Sequence, residues 1–419
     1  MADLPTAPRI PGKEETLRHI IINFTPSWFS VNMGTGITGI VIYSVEHQFT
    51  GEHIIATVFY VLNIVLFGIF FIITCLRYIL YPWTAKRMIY HSVQSMFIGT
   101  FPMGLSTIVN ATVLIAVPAY GDWAVQLAFA LFWINVFVAV ASCYGVTYVM
   151  FRTHVHSVDK MTAAWLLPVV PTVVVAATGG LVSSVVSPTR AMLVLCTSWV
   201  LWGAGMGVSI LVLAFYFHRL VISKLPAGEV VISAFLPLGP LGQGSFGIIQ
   251  MGTVARTIFD SKTTFTTVPI SGEIVYLICL MMGLLVWGFG TFWLFHGTTS
   301  LVTRMMEGSI KFNMGFWGLI FPLGVFTAAT ILLSKELPSA FFSYLSIIFV
   351  ISLVALYFMV AGDTFYRAVT REIFVAPCLS TTDLKFPPLP ESPVEQKPVS
   401  NGSHHDDNNS VQDNVSESV

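Results

Sequence analysis

The chain has 419 residues, of which 55% are hydrophobic and only 10% are Asp, Glu, Lys or Arg, against roughly a quarter in soluble domains. A mean hydropathy of +0.79 excludes a water-soluble globule, which could not bury that much apolar surface. The formal net charge of −1, with no basic stripe, excludes a nucleic-acid footprint. Lipid admits only helices or closed barrels, and these apolar runs are too long for barrel strands. The expected fold is therefore an all-α polytopic membrane protein.

In chain order, the first 20 residues lack an apolar core, so no cleavable signal peptide is expected and residues 1–22 form a short N-terminal segment. Windows of about 20 apolar residues then predict ten transmembrane helices. They lie near 27–45, 54–79, 91–117, 123–150, 163–183, 191–217, 231–255, 273–295, 313–333 and 339–361. With the N-terminus in the cytosol, the inner segments of this arrangement carry 14 Lys and Arg, from Arg9 to Arg371. The outer segments hold only 4, Arg190, Arg256, Lys262 and Lys335. An odd number of spans would destroy that asymmetry, so both termini are expected in the cytosol. The transport domain covers residues 23–375. Residues 376–419 are rich in Pro, Ser, Asp and Asn, and read as a disordered cytosolic tail.

Each odd-numbered span carries a helix breaker, at Gly34, Pro102, Pro171, Pro240 and Pro322, at intervals of 68, 69, 69 and 82 residues, while the even-numbered spans contain no internal proline. Each repeat is thus a hairpin of one broken and one regular helix. Two spans separate one repeat from the next, so all five hairpins run parallel. That pattern predicts a quasi-fivefold ring around a central pore, with the kinked helices inside, because backbone freed by proline is tolerated in lipid only where protein or water satisfies it.

No charged residue falls in the predicted pore. Its polar candidates are Asn32, Thr35, Ser106, Thr172, Gln243, Ser245 and Thr327, with Phe101 and Phe321 among the apolar ones. Hydroxyls, amides and backbone N–H groups are weak, distributed donors, which suits rapid passage of an anion better than tight capture. Glu46, His91, Asp122, Glu229, Glu273 and His296 all sit at span ends, so no proton relay is expected. An inside-negative membrane drives each anionic charge outward by about 2.3 kcal/mol per 100 mV. Export therefore needs no nucleotide, and the chain has no phosphate-binding G-x-x-x-x-G-K-[ST] loop.

No cofactor or metal is expected. Cys75, Cys143, Cys196 and Cys279 are scattered singly in apolar runs, and His154 and His156 have no further ligands nearby in sequence. An enzyme would need clustered acid, base or nucleophile, and no such cluster is present; a receptor would carry no flux.

The segments NFTPSWFSVNMGTG (Asn23 to Gly36), FPMG (Phe101 to Gly104), FPLGVF (Phe321 to Phe326) and AGDTFYRA (Ala361 to Ala368) closely resemble those of fungal sulfite efflux pumps. These belong to the tellurite-resistance and dicarboxylate transporter family, which includes plant slow anion channels. The resemblance spans roughly residues 19–375. It implies a ten-helix protomer with five inner helices around a pore, assembly as a homotrimer, and a phenylalanine gate on the ninth helix, which by motif position is Phe321. It also implies sulfite or hydrogen sulfite as the exported anion across the plasma membrane, with malate or another dicarboxylate as the alternative. A dicarboxylate is usually met by Arg or Lys in its path, and the sequence places none there.

Overall fold

The computed structural model describes residues 13–225, 228–259, 271–308 and 310–380, all within one compact unit. There is no strand among the described residues. The helices are α1 (Lys13–Asn23), α2 (Phe29–Ser44), α3 (Glu52–Leu80), α4 (Trp83–Tyr90), α5 (Thr100–Ala111), α6 (Val117–Tyr120) and α7 (Asp122–Thr153). They continue as α8 (Val170–Ser183), α9 (Pro188–Ser223), α10 (Leu238–Phe259), α11 (Ser271–Glu307), α12 (Trp317–Glu336), α13 (Ala340–Val369) and α14 (Pro377–Ser380).

Among the described residues, eight helical segments are long and apolar enough to cross a membrane. Five are the regular helices α3, α7, α9, α11 and α13. Three are the runs Gln94–Tyr120, Val230–Phe259 and Met314–Glu336, which contain α5, α10 and α12. The remaining two predicted spans are shorter, α2 with 16 residues and α8 with 14. In both, part of the predicted span is a 3₁₀ turn rather than α-helix.

Such a turn precedes each of α2, α5, α8, α10 and α12: Pro26–Trp28, Gln94–Gly99, Ala163–Leu166, Gly228–Phe235 and Met314–Phe316. The expected mid-span kinks are therefore relocated. Pro102 is the third residue of α5, Pro171 the second of α8 and Pro240 the third of α10, first-turn positions where the missing N–H removes no intrahelical bond. Only Pro322 lies inside its helix. Gly34 breaks nothing, since α2 runs through it. It is small because Trp317 packs there, and a Cβ would stand 2.6 Å from the Trp317 ring. Pro26 instead opens the 3₁₀ turn that precedes α2.

Helix α2 packs against α5 and α12, α8 bridges α5 and α10, and α10 packs against α12, so the contacts of these five helices return to their start. Each also packs on the long regular helix that follows it in the chain: α2 on α3, α5 on α7, α8 on α9, α10 on α11 and α12 on α13. Burial separates the two sets. Of the best apolar window, 78% to 83% is buried in the runs holding α5, α10 and α12, against 17% to 33% in the five regular helices. The first set is packed on all sides and the second presents Ile, Leu, Val and Phe outward. Residues 376–380, expected in the tail, instead dock on the helical body: the Ala376 N–H donates to Asn23 Oδ1 at 3.1 Å and Cys378 is fully buried. The rest of the predicted tail, 381–419, lies outside the described residues.

Candidate anion path and its cavity

The N-terminal ends of the five inner helices open onto one cavity of about 1170 Å³. Its wall takes Ser30 and Met33 from α2, Thr100 and Met103 from α5, Val170 from α8, Gly239 from α10, and Trp317 and Phe321 from α12. Each 3₁₀ turn steers the chain into the wall before the α-helix begins, so five positive helix-dipole ends are brought to a shared space. Phe321 is 3% exposed and lines this cavity, on the same helix as the interior Pro322.

The mouth of the cavity carries charge from segments outside the predicted spans. Lys160, Arg219 and Arg367 line it together with His156. Arg219 is 6% exposed; Nη1 donates to the Lys224 carbonyl at 2.6 Å and Nη2 to that of Asp159 at 2.9 Å. Neutral carbonyls hold the guanidinium without cancelling its charge, and Arg219 makes no ion pair among the described residues. Arg367 is different, because Glu372 sits 3.1 Å from its Nη1. In the sequence these cations are visible only as contributors to the charge asymmetry between loops.

A histidine group flanks the same mouth. His91 Nδ1 accepts from the backbone N–H of Val93 and of Gln94, at 3.2 and 3.1 Å, at the start of the turn leading to α5. His154 Nε2 lies 3.0 Å from the Ile89 carbonyl, and the His156 ring meets Trp165 edge-on at 4.8 Å. Burial, and then the proximity of His154, push His91 and His156 below the ordinary imidazole value; burial does the same to His154.

Most of the polar residues singled out in the sequence face the regular helices. Asn32 donates to Asn63 of α3 (Oδ1 at 3.1 Å), and the Thr35 hydroxyl pairs with Tyr357 of α13 at 3.2 Å. Ser106 accepts from Asn135 of α7 at 2.8 Å, and Ser245 donates to the Gly283 carbonyl of α11 at 2.8 Å. Thr172 bonds back to the Val169 carbonyl beside Gly205 of α9, and Thr327 to the Leu323 carbonyl. Phe101 lies among Phe29, Phe67 and Phe71. The bonds of Asn32, Thr35, Ser106 and Ser245 fix the inner helices to the outer ones. Gln243 stands apart. It lies on the α10 face that carries Gly239 one turn earlier, between Gly242, which abuts the Phe326 backbone of α12, and Gly247, which abuts Ala177 of α8.

A helical membrane body with a cation-bearing cavity at converging helix N-termini defines a membrane transport protein for anions. The sequence profile of the voltage-dependent anion channel family SLAC1 matches residues 23–365, and the chain belongs to that family. A sulfite efflux pump SSU1 of Arthroderma otae is 43% identical over 355 residues, covering 84% of this chain and 93% of that protein. One of Trichophyton rubrum matches with the same identity and coverage. The malic acid transport protein of Schizosaccharomyces pombe is more distant, 27% identical over 337 residues, covering 80% of this chain and 75% of that protein.

Proposed function

We propose that this chain exports sulfite, as the hydrogen sulfite or sulfite anion, across the plasma membrane and so confers sulfite tolerance. The observation that carries the substrate is the 43% identity to fungal sulfite efflux pumps over nearly their whole length. The cavity supplies the physical route. Anions gather where Lys160, Arg219 and five helix N-termini lie, then pass between the inner helices.

In this reading ten helices cross the membrane as five parallel hairpins around the pore. The closed succession of contacts among α2, α5, α8, α10 and α12 supports it, as does the burial contrast with α3, α7, α9, α11 and α13. The mouth faces the cytosol with both termini, because Arg18, Arg77, Arg87, Lys160, Arg219 and Arg367 fall in segments on that side of the predicted spans. Phe321, buried in the cavity wall, is the gate. Assembly as a homotrimer rests on the family resemblance; light scattering of the detergent-solubilised chain measures it.

Malate export is the second reading. The malic acid transport relative favours it, as do the cavity cations, which can meet a carboxylate at each end of a dicarboxylate. Reconstitution in liposomes separates the two, by measuring sulfite, malate and chloride efflux while the membrane potential is stepped. Sulfite preference, with flux that rises with inside-negative potential and needs no proton gradient, is the expected result. Malate preference or strict proton dependence would move the assignment to a dicarboxylate carrier.

A further inference from the structure

Asn110 has no role in the reading above. It is the penultimate residue of α5, seven positions after Met103, which lines the cavity. Seven residues are two helical turns, so the two side chains share a face, with Asn110 about 10 Å further along the helix. The neighbouring faces of α5 are engaged. Ser106 accepts from Asn135 of α7, and Thr107 accepts from Asn63 of α3 at 2.9 Å. The turn that follows, Thr112–Ala116, is π-helical, an irregularity that recurs at functional sites.

Asn110 is only 6% exposed, yet its Oδ1 has no hydrogen-bond partner. The Oδ1 atoms of Asn32 and Asn135 are also unpartnered, but those two amides are tied to neighbours through Nδ2. The Asn110 side chain makes no hydrogen bond among the described residues. A buried, unengaged amide is unfavourable unless something transiently present satisfies it.

We propose that Asn110 is a selectivity contact for the protonated monoanion, hydrogen sulfite. This rests on the sulfite-export reading and specifies which species that route takes. An amide offers both a donor and an acceptor. Nδ2–H donates to an oxygen of the anion, while Oδ1 accepts from the O–H that hydrogen sulfite carries. The sulfite dianion and chloride have no hydrogen to give. At this depth the inner helices offer no formal charge, and the cost of desolvating an ion rises with the square of its charge, which further disfavours the dianion.

The test is efflux from liposomes containing the full chain, at clamped potential and constant total sulfite, across the pH range where hydrogen sulfite loses its proton, with chloride as reference. Wild-type sulfite flux should follow the hydrogen sulfite fraction. Asn110→Leu should lower the sulfite-to-chloride flux ratio about tenfold and flatten the pH profile. Asn110→Ala and Asn110→Ser are both smaller than asparagine and guard against a packing defect; serine keeps a donor and an acceptor, and should retain more of the ratio than alanine. An unchanged ratio and pH profile in Asn110→Ala, with intact wild-type sulfite flux, would overturn the Asn110 contact alone. A wild-type chain that carries no sulfite would instead sink the export reading.

Discussion

The two ends of the inner helices carry opposite chemistry. At their N-terminal ends Glu372 answers Arg367, but Arg219 is held by neutral carbonyls alone beside a large cavity. At their C-terminal ends carboxylates answer the cations: Arg256 pairs with Glu273 at 2.8 Å, Lys335 lies within electrostatic reach of Glu46, and Glu336 accepts from Tyr276 at 2.6 Å. Helix dipoles add to the same polarity. In the proposed export, the first end captures the anion and the second releases it. Direction itself comes from the concentration gradient and the membrane potential, since a static field cannot drive net transport.

The largest effect is expected where capture gives way to passage. Phe321→Ala should raise flux at least about tenfold, since each ~1.4 kcal/mol removed from a barrier is worth that factor. A phenylalanine that merely packs would cost about 3–5 kcal/mol of stability on truncation and leave flux alone. Voltage-stepped flux together with thermal unfolding separates these outcomes. In the open variant the charges at the mouth should matter more, because arrival of the anion then limits the rate.

Arg219 is the next test, aimed at the asymmetry itself. Arg219→Gln should lower flux at low substrate by about tenfold at low ionic strength, and the deficit should shrink as salt shortens the Debye length to roughly 10 Å at 0.1 M. Arg219→Lys keeps the charge but loses the fork that ties the Asp159 and Lys224 carbonyls. Recovery in the lysine variant would identify the field as the cause; equal loss in both would identify the loop geometry.

Much of this arrangement was legible in the sequence, and the limits have physical causes. The alternation of regular and interrupted spans is carried by composition, which sets helix existence, and Pro102, Pro171 and Pro240 do mark helix starts. The length of α2 and α8 was not legible, because a 3₁₀ turn such as Ala163–Leu166 is as apolar as the helix after it. Nor was the direction of Asn32, Thr35 or Ser106. A helix buried on every side has no polar stripe, so nothing in the spacing tells a pore face from a face that meets an outer helix. Gln243 and Asn110 are polar residues of the same kind, and only the neighbours of α10 and α5 distinguish them. Arg219 sat at the end of a span, where snorkelling to the interface is the default expectation.

A smaller effect concerns protons at the mouth. His91, His154 and His156 are held below the ordinary value near 6.5 by burial and, for His91 and His156, by the nearness of His154, so each is neutral around neutral pH. The unfolded chain takes up these protons first as pH falls. The histidines' contribution to stability is therefore intact above about 6.5 and is lost as pH drops from there through the lowered values. Unfolding midpoints measured against pH should fall in that window, and His154→Ala should make the slope shallower. Flux near neutral pH should not change in His156→Ala, since Lys160 and Arg219 carry the charge there.

The smallest expected effect lies in the segment that follows α13 across the mouth. Phe374 stacks on Trp28 at 5.0 Å, Arg77 reaches the Cys378 sulfur at 3.8 Å, and Ile373, Val375 and Pro377 form part of the cavity wall. Phe374→Ala removes one stacked pair, worth about 0.5–1.5 kcal/mol beyond its area. It should make the backbone around residue 374 more open to proteolysis while the helical body stays folded. Its flux decides what the segment does at the end where anions are captured. A modest rise, below that of Phe321→Ala, means that the segment narrows the entrance. Unchanged flux with increased cleavage means that it only braces Trp28 and the first 3₁₀ turn, leaving entry to the cations.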